Sequence, residues 1–282
     1  MPRSHDEDLY PGEATSGWSI PEQAIIFDTY HRTARELQVK YAGQIELLVG
    51  MEIDWIRPAS REWVDGLIAR WGMDMFVGSV HHVHGVPIDY DVETYARALG
   101  ICEARARERG CGEEEVLFED YFDAQYEMLR GLEPPVVGHF DLIRLLSGCK
   151  DESLKRFDGV WSRIERNLAF TKSYGGCVEL NSAGLRKGLK EPYPKMEVCK
   201  HFNELGGRFV LSDDSHGIGH VGSCYEGTLK HAKDAEIKDL AVFSRGNGMH
   251  TLDRRFPGVG VNMLSIEAIE KLEFWSRKGF DV

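Results

Sequence analysis

Apolar residues along this chain gather in short runs, and each run breaks off into polar or ionisable residues. The runs are QIELLVGMEIDWI (44–56), DMFVGSVHHV (74–83), PPVVGHFDLI (134–143), GCVELNS (176–182), GRFVLSDDS (207–215) and, more weakly, LAVFSRG (240–246). Their length and their content of Val, Ile, Leu and Phe predict buried strands. The stretches between them follow a different period. Over 20–41, Ile26, Tyr30, Ala34, Leu37 and Tyr41 fall on one helical face, with Pro21 suited to a first turn. The same spacing recurs over 113–132 (Leu117, Tyr121, Ala124, Met128) and 155–174 (Phe157, Val160, Ile164, Leu168). Strand alternating with helix predicts an α/β fold built on a parallel sheet. No linker or low-complexity tract divides the chain, so residues 1–282 are expected to form one domain.

The placement of the polar residues adds chemistry to this frame. Glu52, His81, His139, Asn181 and the pair Asp214/His216 each stand at or just beyond the C-terminal end of an apolar run. In an α/β barrel those ends converge on one mouth, where active sites are built. Two carboxylates and three imidazoles in one cleft would repel one another and lose hydration unless a cation offset the cost. Imidazole mixed with carboxylate suits zinc, manganese or iron better than calcium.

Composition narrows the partners. With 46 acidic against 34 basic side chains and a net charge of −12, the surface repels nucleic acid. No apolar run of roughly 18 residues is present to span a membrane, and the first twenty residues lack the apolar core of a signal peptide. A cytoplasmic location is therefore expected. Cys102, Cys111, Cys149, Cys177, Cys199 and Cys224 contain no CxxC pair and read as reduced structural residues.

Taken together, the motifs DEDLYPGE, GMEIDWI, GSVHHVHGVPIDYD, GHFDLIRL, ELNSAGLRKGLKEPYP and LSDDSHG resemble those of the PHP (polymerase and histidinol phosphatase) domain family, in its monofunctional histidinol-phosphatase branch. The resemblance implies a distorted seven-stranded, TIM-like (β/α) barrel with a trinuclear divalent-metal site at its C-terminal mouth. It also implies hydrolysis of L-histidinol phosphate to L-histidinol and phosphate in histidine biosynthesis. Carried over residue by residue, Glu52 matches a carboxylate bridging two metals, and His81 and His139 match imidazoles of one of those metal positions. Asp214 matches a ligand of the other bridged metal, and His216 a ligand of the third. Glu52, Asp214 and His216 are the expected catalytic set.

Arg144, Arg186 and Lys187 are candidates for clamping the phosphate, with Asn181 beside them in the substrate site. Asp213 is expected either to support the metal ligands from behind or to cap the loop. Because adjacent residues on an extended segment face opposite ways, His81 is assigned to the mouth and His82 away from it. His84 is expected in the loop, with some prospect of touching substrate, and His220 is expected to be structural. His5, His31, His201, His231 and His250 are expected to be solvated.

The sequence departs from the family at its start. The family opens with a strand ending in His-x-His and a second ending in Thr-Glu-His; neither is found near the start of this sequence, and its His-x-His spacing, His82-Val83-His84, belongs to another motif. The expectation is an N-terminally truncated barrel in which Glu52, His81 and His139 keep one metal position intact while the other two lose imidazoles, leaving this chain with little activity. Two alternatives are a PHP phosphoesterase acting on another small phosphate ester and a non-catalytic metal-binding remnant.

Overall fold

The computed structural model describes residues 9–58, 60–246 and 248–278, so His5 lies outside the described residues. Two helices, α1 (Pro11–Thr15) and α2 (Ile20–Lys40), precede the first strand, β1 (Gly50–Asp54). α2 begins where Ser19 and Glu22 form a capping box and Pro21 occupies the first turn. There follow α3 (Ser60–Trp71), β2 (Met75–Ser79), a hairpin of β3 (His82–Val83) and β4 (Val86–Pro87), α4 (Val92–Arg109), α5 (Glu113–Leu132) and β5 (Val136–Val137). The chain continues through α6 (Asp158–Tyr174), β6 (Cys177–Asn181), α7 (Ala183–Arg186), α8 (Met196–Glu204), β7 (Arg208–Ser212) and α9 (Tyr225–Asp234). It closes with β8 (Asp239–Arg245), β9 (His250–Thr251), β10 (Val259–Ser265), α10 (Ile266–Glu270) and α11 (Glu273–Lys278).

Five strands form a parallel sheet in the order β1-β2-β5-β6-β7. Each strand neighbours the next parallel one in the chain, so the wall advances as in a (β/α) barrel and every C-terminal end lies on one rim. The sheet is buried: Ile53, Phe76, Val137, Val178, Leu180 and Phe209 are all inside. The helical faces predicted over 113–132 and 155–174 pack as expected, with Leu117, Tyr121, Met128, Val160, Ile164 and Leu168 buried.

Three expectations are corrected. The 240–246 run does form a strand, but β8 pairs antiparallel with β10 in a separate three-stranded sheet beside β7. The partner strand β10 lies beyond a Gly-containing turn and carries no ionisable residue to mark it. The 134–143 run yields a strand of two residues, because Pro134 and Pro135 cannot donate to a ladder and the chain turns at His139, whose φ is 21°. On α2, Phe27 and Gln23 are buried while Ile26, Tyr30 and Leu37 remain exposed, because the helix lies along the outer edge of β1 rather than over the sheet face. Among the described residues no strand pairs with that edge of β1. No described helix is long and apolar enough to cross a membrane.

Gly138 shows how closely the strands approach just before the rim. A Cβ there would run into Ser79 Oγ and stand 2.8 Å from Val77 Cγ1. Gly138→Ala is expected to lower folding stability by about 1–3 kcal/mol, read as a lower urea midpoint. Gly100→Ala, inside α4 with open space around the new methyl group, is expected to raise it by roughly 0.5–1 kcal/mol.

Candidate metal centre

Period-two alternation along β1 turns Met51 and Ile53 to the core and sets Glu52 and Asp54 together on the other face. The parallel register places Glu52 beside β2, whose chain runs on into His81, and β5 lies next with His139 just past its end. The three side chains meet at one oxygen. Glu52 Oε1 lies 3.1 Å from His81 Nε2 and 3.1 Å from His139 Nε2. The two imidazoles stand edge to face with centroids 4.7 Å apart, both buried, while Glu52 stays partly open to solvent.

The two imidazole residues are held from behind, His81 by its ring and His139 by its backbone. His81 Nδ1 pairs with Asp89 Oδ2 at 3.0 Å, which turns Nε2 towards Glu52. The His81 backbone N–H donates to Asp54 Oδ1 at 3.0 Å, and Asp54 Oδ2 pairs with His82 Nδ1 at 2.7 Å. His82 is thereby drawn off to Asp54, as the alternation of an extended segment requires. Glu179 Oε2 accepts the His139 backbone N–H at 2.8 Å. Among the described residues His139 Nδ1, on the side of the ring away from Glu52, is buried with no hydrogen-bond partner.

Asp54, Asp89 and Glu179 escaped the sequence reading. The Glu52/Asp54 spacing was a usable signal, and so was Asp89 within PIDYD. Glu179 offered none, because it stands inside a strand that is otherwise apolar up to Asn181.

The electrostatics favour positive charge here. Burial pushes the Glu52 carboxyl up, but hydrogen bonds from His139 and His81 outweigh it and hold the group well below the usual carboxylate range. Burial opposes a charge on His81, yet Tyr10, Asp89 and Glu52 together hold its imidazole well above the ordinary value. Burial raises the Glu179 carboxyl, offset only in part by His139, Ser212 and Asn181. One carboxylate oxygen and two imidazole nitrogens, all within reach of one another, are the donor set of a divalent transition-metal ion.

The tip of β7 supplies the next group. Asp214, at φ 48°, accepts from His216 Nε2 at 3.1 Å and faces Lys187 Nζ at 3.6 Å. A cleft of about 650 Å³ joins Glu52 to Asp214 and His216 and is walled by Trp18, Ile26, Phe27 and Tyr30. Asp213 caps the loop, accepting from Ser215 Oγ at 2.6 Å and from the Gly222 N–H at 2.5 Å. Among the described residues, three or more donors cluster at Glu52/His81/His139 and at His84/Cys102/Asp120, whereas Asp214 and His216 stand as a pair.

Several expected substrate contacts are built otherwise. Asn181 is fully buried and spent: its Nδ2 donates to Glu179 and its Oδ1 accepts the Ala183 N–H. Arg144 is also buried, with Nε on Asp141 and Nη2 on the carbonyls of Glu191 and Pro192, so it holds the β6–α8 connection from inside. Arg186 donates to the carbonyls of Asp213 and Asp214 and to Ser223 Oγ, which fixes the loop carrying Asp214. His84 pairs with Asp120 rather than entering the cleft, and His231 is buried against the Pro194 carbonyl rather than solvated.

Residues 22–183 match the family model described as the PHP domain. The chain belongs to the PHP domain family. A Schizosaccharomyces pombe protein named a probable histidinol-phosphatase is 38% identical over 247 residues, covering 87% of this chain and 77% of its own length. The histidinol-phosphatase of Saccharomyces cerevisiae is 33% identical over 266 residues, covering 83% and 77%. Two crystal structures share the fold. A candidate histidinol phosphatase, hisK, from Listeria monocytogenes aligns with a TM-score of 0.64 at 23% identity, over 80% of this chain and 85% of that one. Histidinol phosphate phosphatase from Lactococcus lactis, complexed with zinc, L-histidinol and phosphate, aligns with a TM-score of 0.53 at 16% identity over 77% of each chain. The PHP match contains Glu52, His81 and His139 and ends before Asp214 and His216.

If these three side chains hold an ion, Glu52→Gln lowers the zinc retained per chain after dialysis, measured by elemental analysis. Asp89→Asn, which removes the charge orienting His81, is expected to weaken zinc binding by about 10–100-fold. Asp213→Asn should leave zinc content unchanged.

Proposed function

We propose that this chain is a histidinol-phosphatase, a metal-dependent phosphoric monoester hydrolase that cleaves L-histidinol phosphate to L-histidinol and phosphate within histidine biosynthesis. In this reading residues 1–282 work as one catalytic domain on a diffusing small molecule in the cytoplasm. The observation that carries it is the convergence of Glu52, His81 and His139 on one point of a PHP chain whose relatives over most of its length are named histidinol-phosphatases.

Glu52, His81 and His139 would hold a divalent ion, with Asp214 and His216 as donors on the facing wall of the cleft. Such an ion supplies a Lewis acid that makes hydroxide available near neutral pH and neutralises charge on the phosphoryl oxygens. Asp89 fixes the His81 ring so that Nε2 faces the ion position, and Glu179 fixes the His139 backbone. Lys187, beside Asp214, is the cation placed to meet a phosphate oxygen, and Arg186 acts by positioning the Asp214 loop. His216 is largely exposed and hydrogen-bonded to Asp214 through Nε2, so the two side chains form one paired donor group across the cleft from Glu52. The ammonium and imidazole of the substrate are tolerated by an acidic protein, and Phe27 and Tyr30 offer aromatic faces along the same cleft.

The test is a panel of phosphate monoesters assayed after zinc reconstitution. L-histidinol phosphate is expected to give the highest kcat/KM, activity is expected to fall with chelator and return with metal, and His216→Ala should lower kcat by about 10–100-fold. A sugar or nucleotide phosphate with the higher kcat/KM would replace this substrate by another, and activity indifferent to chelator would remove the metal from the reading.

A further inference from the structure

Away from the cleft, a second group of donor atoms closes on a single point. His84 stands in the two-residue turn between β3 and β4, Cys102 and Arg105 lie on α4, and Asp120 lies on α5. His84 Nε2 is 2.7 Å from Asp120 Oδ2, and Cys102 Sγ is 3.7 Å from the same oxygen. Arg105 Nη2 sits in their midst, against Asp120 Oδ2, 3.5 Å from His84 Nε2 and 3.9 Å from Cys102 Sγ. One cationic nitrogen is thus surrounded by an imidazole nitrogen, a thiol sulfur and a carboxylate oxygen. Those are donor types that zinc-class ions accept. The three donors come from three separate elements packed together, whereas the Arg105 side chain is half exposed and long enough to turn out into solvent.

We propose that His84, Cys102 and Asp120 form a second metal site for a zinc-class divalent cation, a position that the Arg105 guanidinium fills in this structure. The charge balance is the same in both states. An Asp120 carboxylate and a neutral Cys102 thiol offset one guanidinium; on metal binding Cys102 gives its proton to solvent, and carboxylate plus thiolate offset a doubly charged ion. Water completes the coordination on the exposed side, where the His84 ring reaches solvent. The ion would tie the β3–β4 hairpin to α4 and α5, and that hairpin runs directly from His81. The inference stands independently of the phosphatase reading, since none of these residues lines the cleft.

Cobalt(II) distinguishes this site from the first, because Glu52, His81 and His139 contain no sulfur and cannot give a thiolate-to-cobalt charge-transfer band. Full-length protein titrated with cobalt(II) is expected to develop that band in the near ultraviolet. Arg105→Gln, which removes the competing cation, should bring it on at a roughly tenfold lower cobalt concentration. His84→Ala should demand about 10–100-fold more cobalt or more, and Cys102→Ser should abolish the band. If Cys102→Ser fails to fold, the near-isosteric variant Asp120→Asn takes its place, with weakening like that of His84→Ala expected. A band absent from both the wild-type protein and Arg105→Gln overturns the proposal. So does a band that His84→Ala and Asp120→Asn leave unchanged, which would assign it to another of the six cysteines.

Discussion

The Glu52 carboxylate accepts from two buried imidazoles at 3.1 Å each, and those imidazoles arrive from different strands of the same sheet. Buried imidazoles are costly unless they are hydrogen-bonded, and both spend Nε2 on this one carboxylate, so the contact constrains everything around it. β1, β2 and β5 must lie parallel and in their observed register, or the three side chains cannot meet. The chain past β5 must turn at His139 through an uncommon φ, and Gly138 must leave room against Ser79 for that turn. Backbone held in sparsely populated regions persists where its surroundings over-determine it, and here the His139 N–H is pinned by the buried Glu179 carboxyl.

The same contact explains why the rim is so rich in acids that touch no cleft. Asp54 spends both oxygens, and Asp89 and Glu179 one each, on a candidate ligand or its neighbour, turning rings and fixing amides. This outer layer presents imidazole nitrogens and a carboxylate oxygen towards one point, with the reverse side of the His81 ring tied to Asp89 and His139 held through its backbone N–H. The β7 tip is organised by a parallel device: Arg186 holds the carbonyls of Asp213 and Asp214, which leaves the Asp214 carboxylate to His216 and Lys187.

Much of this was legible in the sequence. The helices over 113–132 and 155–174 announced themselves because a 3.6-residue apolar period survives along their length, and His81 and His139 because each follows an apolar run at a strand end, whereas Glu52 stands inside β1. What failed did so for physical reasons. The periodicity of α2 is real but serves a cleft wall rather than a core, so burial could not be inferred from spacing. Arg144 is a phosphate-clamp candidate by its guanidinium and Asn181 a substrate-site candidate by its place after a strand. Both are instead buried and consumed, Arg144 by the Glu191 carbonyl forty-seven residues away and Asn181 by Glu179 two residues before it. Glu179 was invisible because nothing local marks a carboxylate whose partner is a backbone amide forty residues away.

The central claim is that Glu52, His81 and His139 share one divalent ion, and anomalous scattering from crystals of the zinc-loaded protein tests it most directly. The account predicts a zinc peak within bonding distance, about 2.0–2.2 Å, of a Glu52 oxygen and one nitrogen each of His81 and His139. Zinc-replete crystals in which that position stays empty while the metal sits elsewhere would contradict it.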